Sequence, residues 1–101
     1  MVKESHSLLG MRSQVNFVFG RIVKRRRDKL KLTPDYVARH AKIALSTLEG
    51  IESGNKDCSL LMLFRLADAL DIPAAELMNR TKKQYQVKRV GSTRRTLGPK
   101  R

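Results

Sequence analysis

An all-α fold, a compact five-helix bundle, is predicted from three features of the sequence. Apolar residues recur at steps of three and four through most of residues 13–79. Helix-start and helix-stop residues punctuate the same range at short intervals, at Thr33-Pro34, Gly54, Ser59 and Asp71-Ile72-Pro73. No segment within it needs to be a strand. The bundle over 13–79 is expected to sit between a flexible N-terminal segment, 1–12, and a basic C-terminal arm, 80–101.

Residues 1–12 show no sustained period and end near Gly10, so the first helix is expected to start around Ser13 or Gln14. Val15, Val18, Phe19, Ile22 and Val23 give it an apolar stripe. Gly20 lies inside that stripe and weakens a helix by about 1 kcal/mol against alanine, which points to a close helix contact there. Lys24 to Arg27 form a basic run near the helix end, where the dipole favours cations. The run reads equally as an exposed face with buried aliphatic stems or as a phosphate contact.

Thr33 is suited to cap a second helix, with Pro34 at its first position, where a missing N–H costs nothing. Val37, Ala38 and Ala41 form a narrow apolar face. After a turn at Lys42-Ile43-Ala44, Leu48 and Ile51 continue the helical spacing on a third helix, and Gly54 stands where a left-handed residue ends it. Small Ala38 and Ala41 let the two helices cross closely, as a helix-turn-helix. Ser59 begins a fourth helix with Leu60, Leu63, Phe64, Ala67 and Leu70 on one side, widened by Leu61 and Leu66. Pro73 opens a short fifth helix carrying Leu77 and Met78. Residues 84–90 alternate briefly, so a short strand around Tyr85–Arg89 is expected, with an open edge that needs a partner.

Composition narrows the function. One hundred and one residues support a single domain with a small core of Leu, Val, Ile and Ala. The longest apolar run, Leu60 to Phe64, is far too short to span a membrane. The opening Met-Val-Lys-Glu-Ser-His lacks the apolar core of a signal peptide, and the single cysteine, Cys58, fits a reducing compartment, so a cytoplasmic protein is expected. His6 and His40 have no partners at metal-ligand spacing, and no catalytic constellation is visible; neither a metal, a cofactor nor an enzymatic activity is expected. The formal net charge is +13. Residues 80–101 carry nine Lys and Arg and no acid, against a net +3 over residues 15–79. Such an arm favours polyanions through counterion release. Arg80, Lys82, Lys83, Lys88, Arg89, Arg94 and Arg95 are its candidate nucleic-acid contacts.

Val37-Ala38, Ala41, Ile43, Ser46-Thr47, Leu48 and Ile51-Glu52-Ser53-Gly54 resemble the signature of the Cro/phage-repressor-like helix-turn-helix family. The likeness extends from Phe19-Gly20 and Arg27 to Leu66-Ala67, Ala69-Leu70 and Glu76-Leu77, over roughly residues 17–78. Two positions depart from it. Arg26 replaces a usual apolar residue, for which Leu30 is expected to compensate one turn later, and Asp71 replaces a common glycine. The resemblance implies that the helix Leu45–Glu52 enters the major groove of DNA. It places base-facing positions at Ala44, Leu45, Ser46, Glu49 and Gly50, with Thr47 as a further hydrogen-bonding side chain. Here those positions lack the usual Gln, Arg, Asn or Lys, so Glu49 toward a cytosine amino group and Leu45 or Ala44 toward a thymine methyl are the expected readers. Phosphate contacts are expected from Thr33 and the amides of Asp35 and Tyr36 at the start of the second helix, and from Arg39, Lys42, Asn55 and Lys56.

The resulting expectation is a sequence-specific transcriptional regulator, a repressor, binding double-stranded DNA as a homodimer. The dimer would form through the fifth helix or the Tyr85–Val90 segment. Two other readings compete: the antitoxin of a toxin–antitoxin pair, and a bridging module with a protein partner, such as a polymerase component, and non-specific nucleic-acid binding.

Overall fold

In the computed structural model the backbone is described for residues 2–89 and the side chains for residues 10–86. Five helices follow one another: α1 (Val2–Lys29), α2 (Pro34–Ala41), α3 (Leu45–Ser53), α4 (Leu60–Ala69) and α5 (Ala74–Arg89). There is no strand among the described residues.

The expected start signals are in place. The Thr33 hydroxyl accepts from the Tyr36 amide at 3.1 Å, and the Ser59 hydroxyl accepts from the Met62 amide at 3.1 Å. Each satisfies one of the amides left open at a helix start. Gly54 ends α3 at φ 84°, and a Cβ there would lie 3.0 Å from the Phe17 Cα, so both backbone and space require glycine. Gly20 has the close contact that its position implied. A Cβ on it would run into the Ile51 carbonyl and lie 2.6 Å from the Glu52 carbonyl oxygen. Lys42 closes α2 in the left-handed region, and the Ile43 amide donates back to the Ala38 carbonyl at 3.0 Å. This is the double hydrogen-bonded cap that reverses a chain sharply.

The core collects Val18, Phe19, Ile22 and Val23 from α1, Val37, Ala38 and Ala41 from α2, Leu48 and Ile51 from α3, Leu63, Leu66 and Ala67 from α4, and Leu70, Ile72 and Leu77 beyond it. α1 packs on both α3 and α5, and α2 on α3 and α4.

Four expectations need correction. α1 begins at Val2, well before Ser13. Gly10 is the most helix-weakening residue in that stretch, nothing crowds it, and a single exposed glycine does not end a helix. The segment Tyr85–Arg89 is helical, the last turns of a long α5. Met78, Thr81, Lys82 and Tyr85 line one groove together at steps of three and four, a helical period that the short alternation concealed. On α4, Leu60 and Phe64 face outward with Leu61, and Leu66 takes the inward position. Leu30 does not replace the missing apolar contact at Arg26; Leu32 packs against the core instead. Arg26 has its own task. Its guanidinium donates to the carbonyls of Leu70 at 2.9 Å and Asp71 at 2.6 Å, satisfying acceptors at the end of α4.

Candidate nucleic-acid interface

α3 is held from behind and open in front. Its C-terminal half is pinned to α1 by the Gly20 contact and by a bidentate ion pair, in which Arg27 Nε and Nη2 donate to Glu52 Oε2 and Oε1 at 2.8 and 3.0 Å. Arg27 is buried, and its third donor goes to the Leu32 carbonyl at 3.1 Å. The Glu52 carboxylate holds the Arg27 pKa above its ordinary value. The two-point geometry fixes the rotation of α3 about its own axis, which a single hydrogen bond would not. Arg27 therefore separates from the basic run to which its sequence neighbours belong. Its partner lies 25 positions away, and no local pattern signals it.

The loop after α3 is tied to the same helix. Asp57 accepts from the Arg12 guanidinium, with Nε at 3.0 Å, and from the Asn16 amide at 2.7 Å. Those two donors hold its pKa below the ordinary carboxylate range. Beside it, burial pushes the Cys58 thiol up to about 11, so it stays protonated at neutral pH and behaves as a small apolar group.

The side of α3 turned away from this anchoring carries the expected base-facing residues. Ala44, Leu45, Ser46 and Glu49 are exposed, and Thr47 is half-buried. Leu45 leaves 39% of its surface in solvent, a large apolar group at the leading end of the helix. Ala44 supplies no side-chain cap, so the α3 N-terminus keeps its dipole unshielded for an anion. Gly50 is placed differently from its neighbours: it lies under the stem of Lys56, where a Cβ would come within 2.7 Å of the Lys56 side chain. Its carbonyl accepts from the Asn55 amide at 2.8 Å and the Lys56 amide at 3.1 Å. The small residue thus lets the Lys56 stem lie against the helix.

The expected phosphate contacts gather around the start of α2 and at both ends of α3. Thr33, Asp35, Tyr36, Arg39 and His40 line a shallow hollow of about 410 Å³. Arg39 is ion-paired to Asp35 one turn back, which cancels part of its charge. Tyr36 stacks on His40 with ring centroids 4.5 Å apart, and His40, not expected at the interface, thereby becomes part of this surface. The signal was available in the i, i+4 spacing of the two rings on one short helix. Lys42 is exposed in the turn before α3, and Asn55 and Lys56 are exposed after it. Of the arm residues, Arg80 is ion-paired with Glu76 at 2.6 Å, and Lys82 and Lys83 are exposed on α5. Lys88 and Arg89 continue the same helix, their side chains outside the described residues, and Arg94 and Arg95 lie wholly outside them.

An exposed short helix behind an N-terminal partner helix, flanked by cations and locked to the bundle, defines a helix-turn-helix protein. A helix-turn-helix family profile matches residues 23–77, more than half of the chain. Among solved structures, the restriction-modification controller protein C.AhdI from Aeromonas hydrophila is 31% identical, with a TM-score of 0.60 over 61% of this chain and 94% of that one. The clp gene regulator ClgR from Corynebacterium glutamicum shares the fold at 18% identity, with a TM-score of 0.69 over 73% of this chain and 79% of that one. No curated protein sequence gives a significant match. The chain belongs to the Cro/C1-type helix-turn-helix family of DNA-binding transcriptional regulators.

Proposed function

We propose that this protein reads a short operator through the major groove as a homodimer and acts as a repressor in the cytoplasm. The observation that carries the reading is the free side of α3, where Ala44, Leu45, Ser46 and Glu49 are open to solvent between Lys42 and Lys56. Glu49 is suited to accept from a cytosine amino group and Leu45 to cover a thymine methyl, while the lysines and the uncapped start of α3 meet phosphates; at α2 the Tyr36 amide is already taken by the Thr33 hydroxyl. One good bidentate contact discriminates by about 1–3 kcal/mol, and this helix carries none of the usual Gln or Arg readers. Phosphate contacts and duplex shape therefore supply a larger share of recognition than in a typical member.

Dimerisation is favoured by an apolar face carried by α4 and α5. Leu60, Leu61, Phe64 and Met78 expose 63, 57, 50 and 48% of their surfaces. Beside them an open groove of about 430 Å³ runs between α1, α4 and α5, with Met11, Val15 and Tyr85 along its walls. Exposed apolar side chains of this size mark an interaction surface, which a second copy would bury. Selection of bound duplexes from a random pool tests the proposal. Two related half-sites about one helical turn apart are expected. Recovery of sequences with no shared element would contradict it.

A further inference from the structure

α1 and α5 pack along one seam whose two flanks differ in chemistry. The apolar groove occupies one flank. On the other, Arg25, Arg26 and Lys29 of α1 face Arg80 and Lys83 of α5 across a cleft of about 280 Å³, floored by Ile22. Arg26 is engaged by the Leu70 and Asp71 carbonyls, and Arg80 shares its charge with Glu76. Arg25, Lys29 and Lys83 are exposed and have no ion-pair partner among the described residues. The end of α1 accounts for part of this crowding, since the helix dipole favours cations there. It does not account for Arg80 and Lys83, which come from the middle of another helix. Like charges converging from two elements cost stability unless an anion enters between them.

The cleft is separate from the α3 interface. Arg12, Asn16, Phe17, Gly20 and Arg27 are among the α1 residues that meet α3 or the loop after it. At about 100° per residue, Ile22, Arg25 and Lys29 emerge on the opposite side of α1. A duplex lying along α3 does not pass through that space. Five cations around a cleft of about 280 Å³ suit the spaced charges of a phosphodiester segment, and α5 runs on from it to Arg89.

We propose that the α1/α5 cleft binds the phosphate backbone of a second nucleic-acid segment, so that the protein holds one segment on α3 and another between α1 and α5. The inference rests on α3 engaging a first duplex, and two readouts on the full chain keep the two claims apart. In the first, protein is loaded on an immobilised duplex carrying the selected site, and a labelled duplex without that site is added. Wild type is expected to retain the labelled duplex, and R25Q/K29Q to retain roughly fivefold less per molecule of bound protein, because two phosphate partners are lost. K29Q alone is expected to fall between them, which keeps the comparison informative should the double variant lose helix content. In the second, a photo-crosslinking residue replacing Gln84 at the cleft wall is expected to capture a labelled duplex free in solution, whether or not the immobilised duplex loads. Failure to load is therefore a failure of the α3 reading alone, and the crosslink still decides the cleft. Equal retention by wild type and R25Q/K29Q, or no crosslink at position 84, would overturn the proposal. So would displacement of the duplex from the cleft by inorganic phosphate at equal phosphate concentration, which indicates a free-anion site. Preferential capture of polyglutamate would overturn it in favour of an acidic protein segment.

Discussion

Gly20 shows how one missing side chain positions the whole recognition surface. The groups facing its Cα are the carbonyls of Ile51 and Glu52, parts of the α3 backbone that cannot rotate aside. Gly20→Ala is expected to destabilise the fold by about 3 kcal/mol in urea denaturation, at the upper end of overpacking costs, despite alanine's better helix propensity. A neutral or stabilising result would mean that α3 is free to move off α1. Asp57 works on the same assembly through charge. Because Arg12 and Asn16 lower its folded pKa, its contribution is fully present above the ordinary carboxylate pKa and is lost as pH falls through the lowered value. Wild-type stability is therefore expected to fall on the acid side more steeply than that of Asp57→Asn, as measured by thermal melts across an acid pH series. Parallel profiles would remove Asp57 from the tether.

At the scale of elements, the turn after α4 departs from the family pattern in a way that can be measured. Asp71 is held at φ 52°, a left-handed conformation that costs a residue with a Cβ about 1 kcal/mol or more. Its carbonyl, not its side chain, receives Arg26. Asp71→Gly is expected to stabilise the protein by about 1 kcal/mol, raising Tm by about 4 °C or more in a chain of this size. A fall in Tm would show that the aspartate side chain has a role of its own. The elements that were legible in the sequence share one property, which is that their signals are local. Thr33-Pro34, Ser59 and Gly54 mark helix ends by chemistry confined to a single turn. The full extent of α1 and α5 is not legible in the sequence, because residues 2–12 lack a clear apolar stripe and residues 84–90 fit two periods at once. On α4 the surplus of leucines left the inward side undetermined, and only packing placed Leu66 inside and Phe64 outside.

For the molecule as a whole, the same division separates what could be read of the site from what could not. The exposed positions of α3 follow from the motif, since a helix anchored through Leu48 and Ile51 must present Ser46 and Glu49 to the other side. The Arg27–Glu52 pair, the Arg12–Asp57 tether and the cationic cleft all join residues distant in sequence, so they appear only when the helices are assembled. The three faces of the assembly have different chemistry: polar and cation-flanked at α3, apolar at α4 and α5, and strongly cationic between α1 and α5. If the proposed homodimer forms through the apolar face, Phe64→Lys is expected to shift it to monomer in sedimentation velocity with its helix content unchanged. An unaltered dimer would place the contact elsewhere.

The central claim is that α3 presents its free side to DNA. Amide chemical shifts of the 101-residue chain, titrated with a duplex recovered by selection, test it most directly. The predicted result is a set of perturbations concentrated at Ala44 to Gly50, with a second group at Thr33 to Arg39, Lys42 and Lys56. Perturbations confined to α5 and the residues beyond it, with Ser46 and Glu49 unchanged, would contradict it.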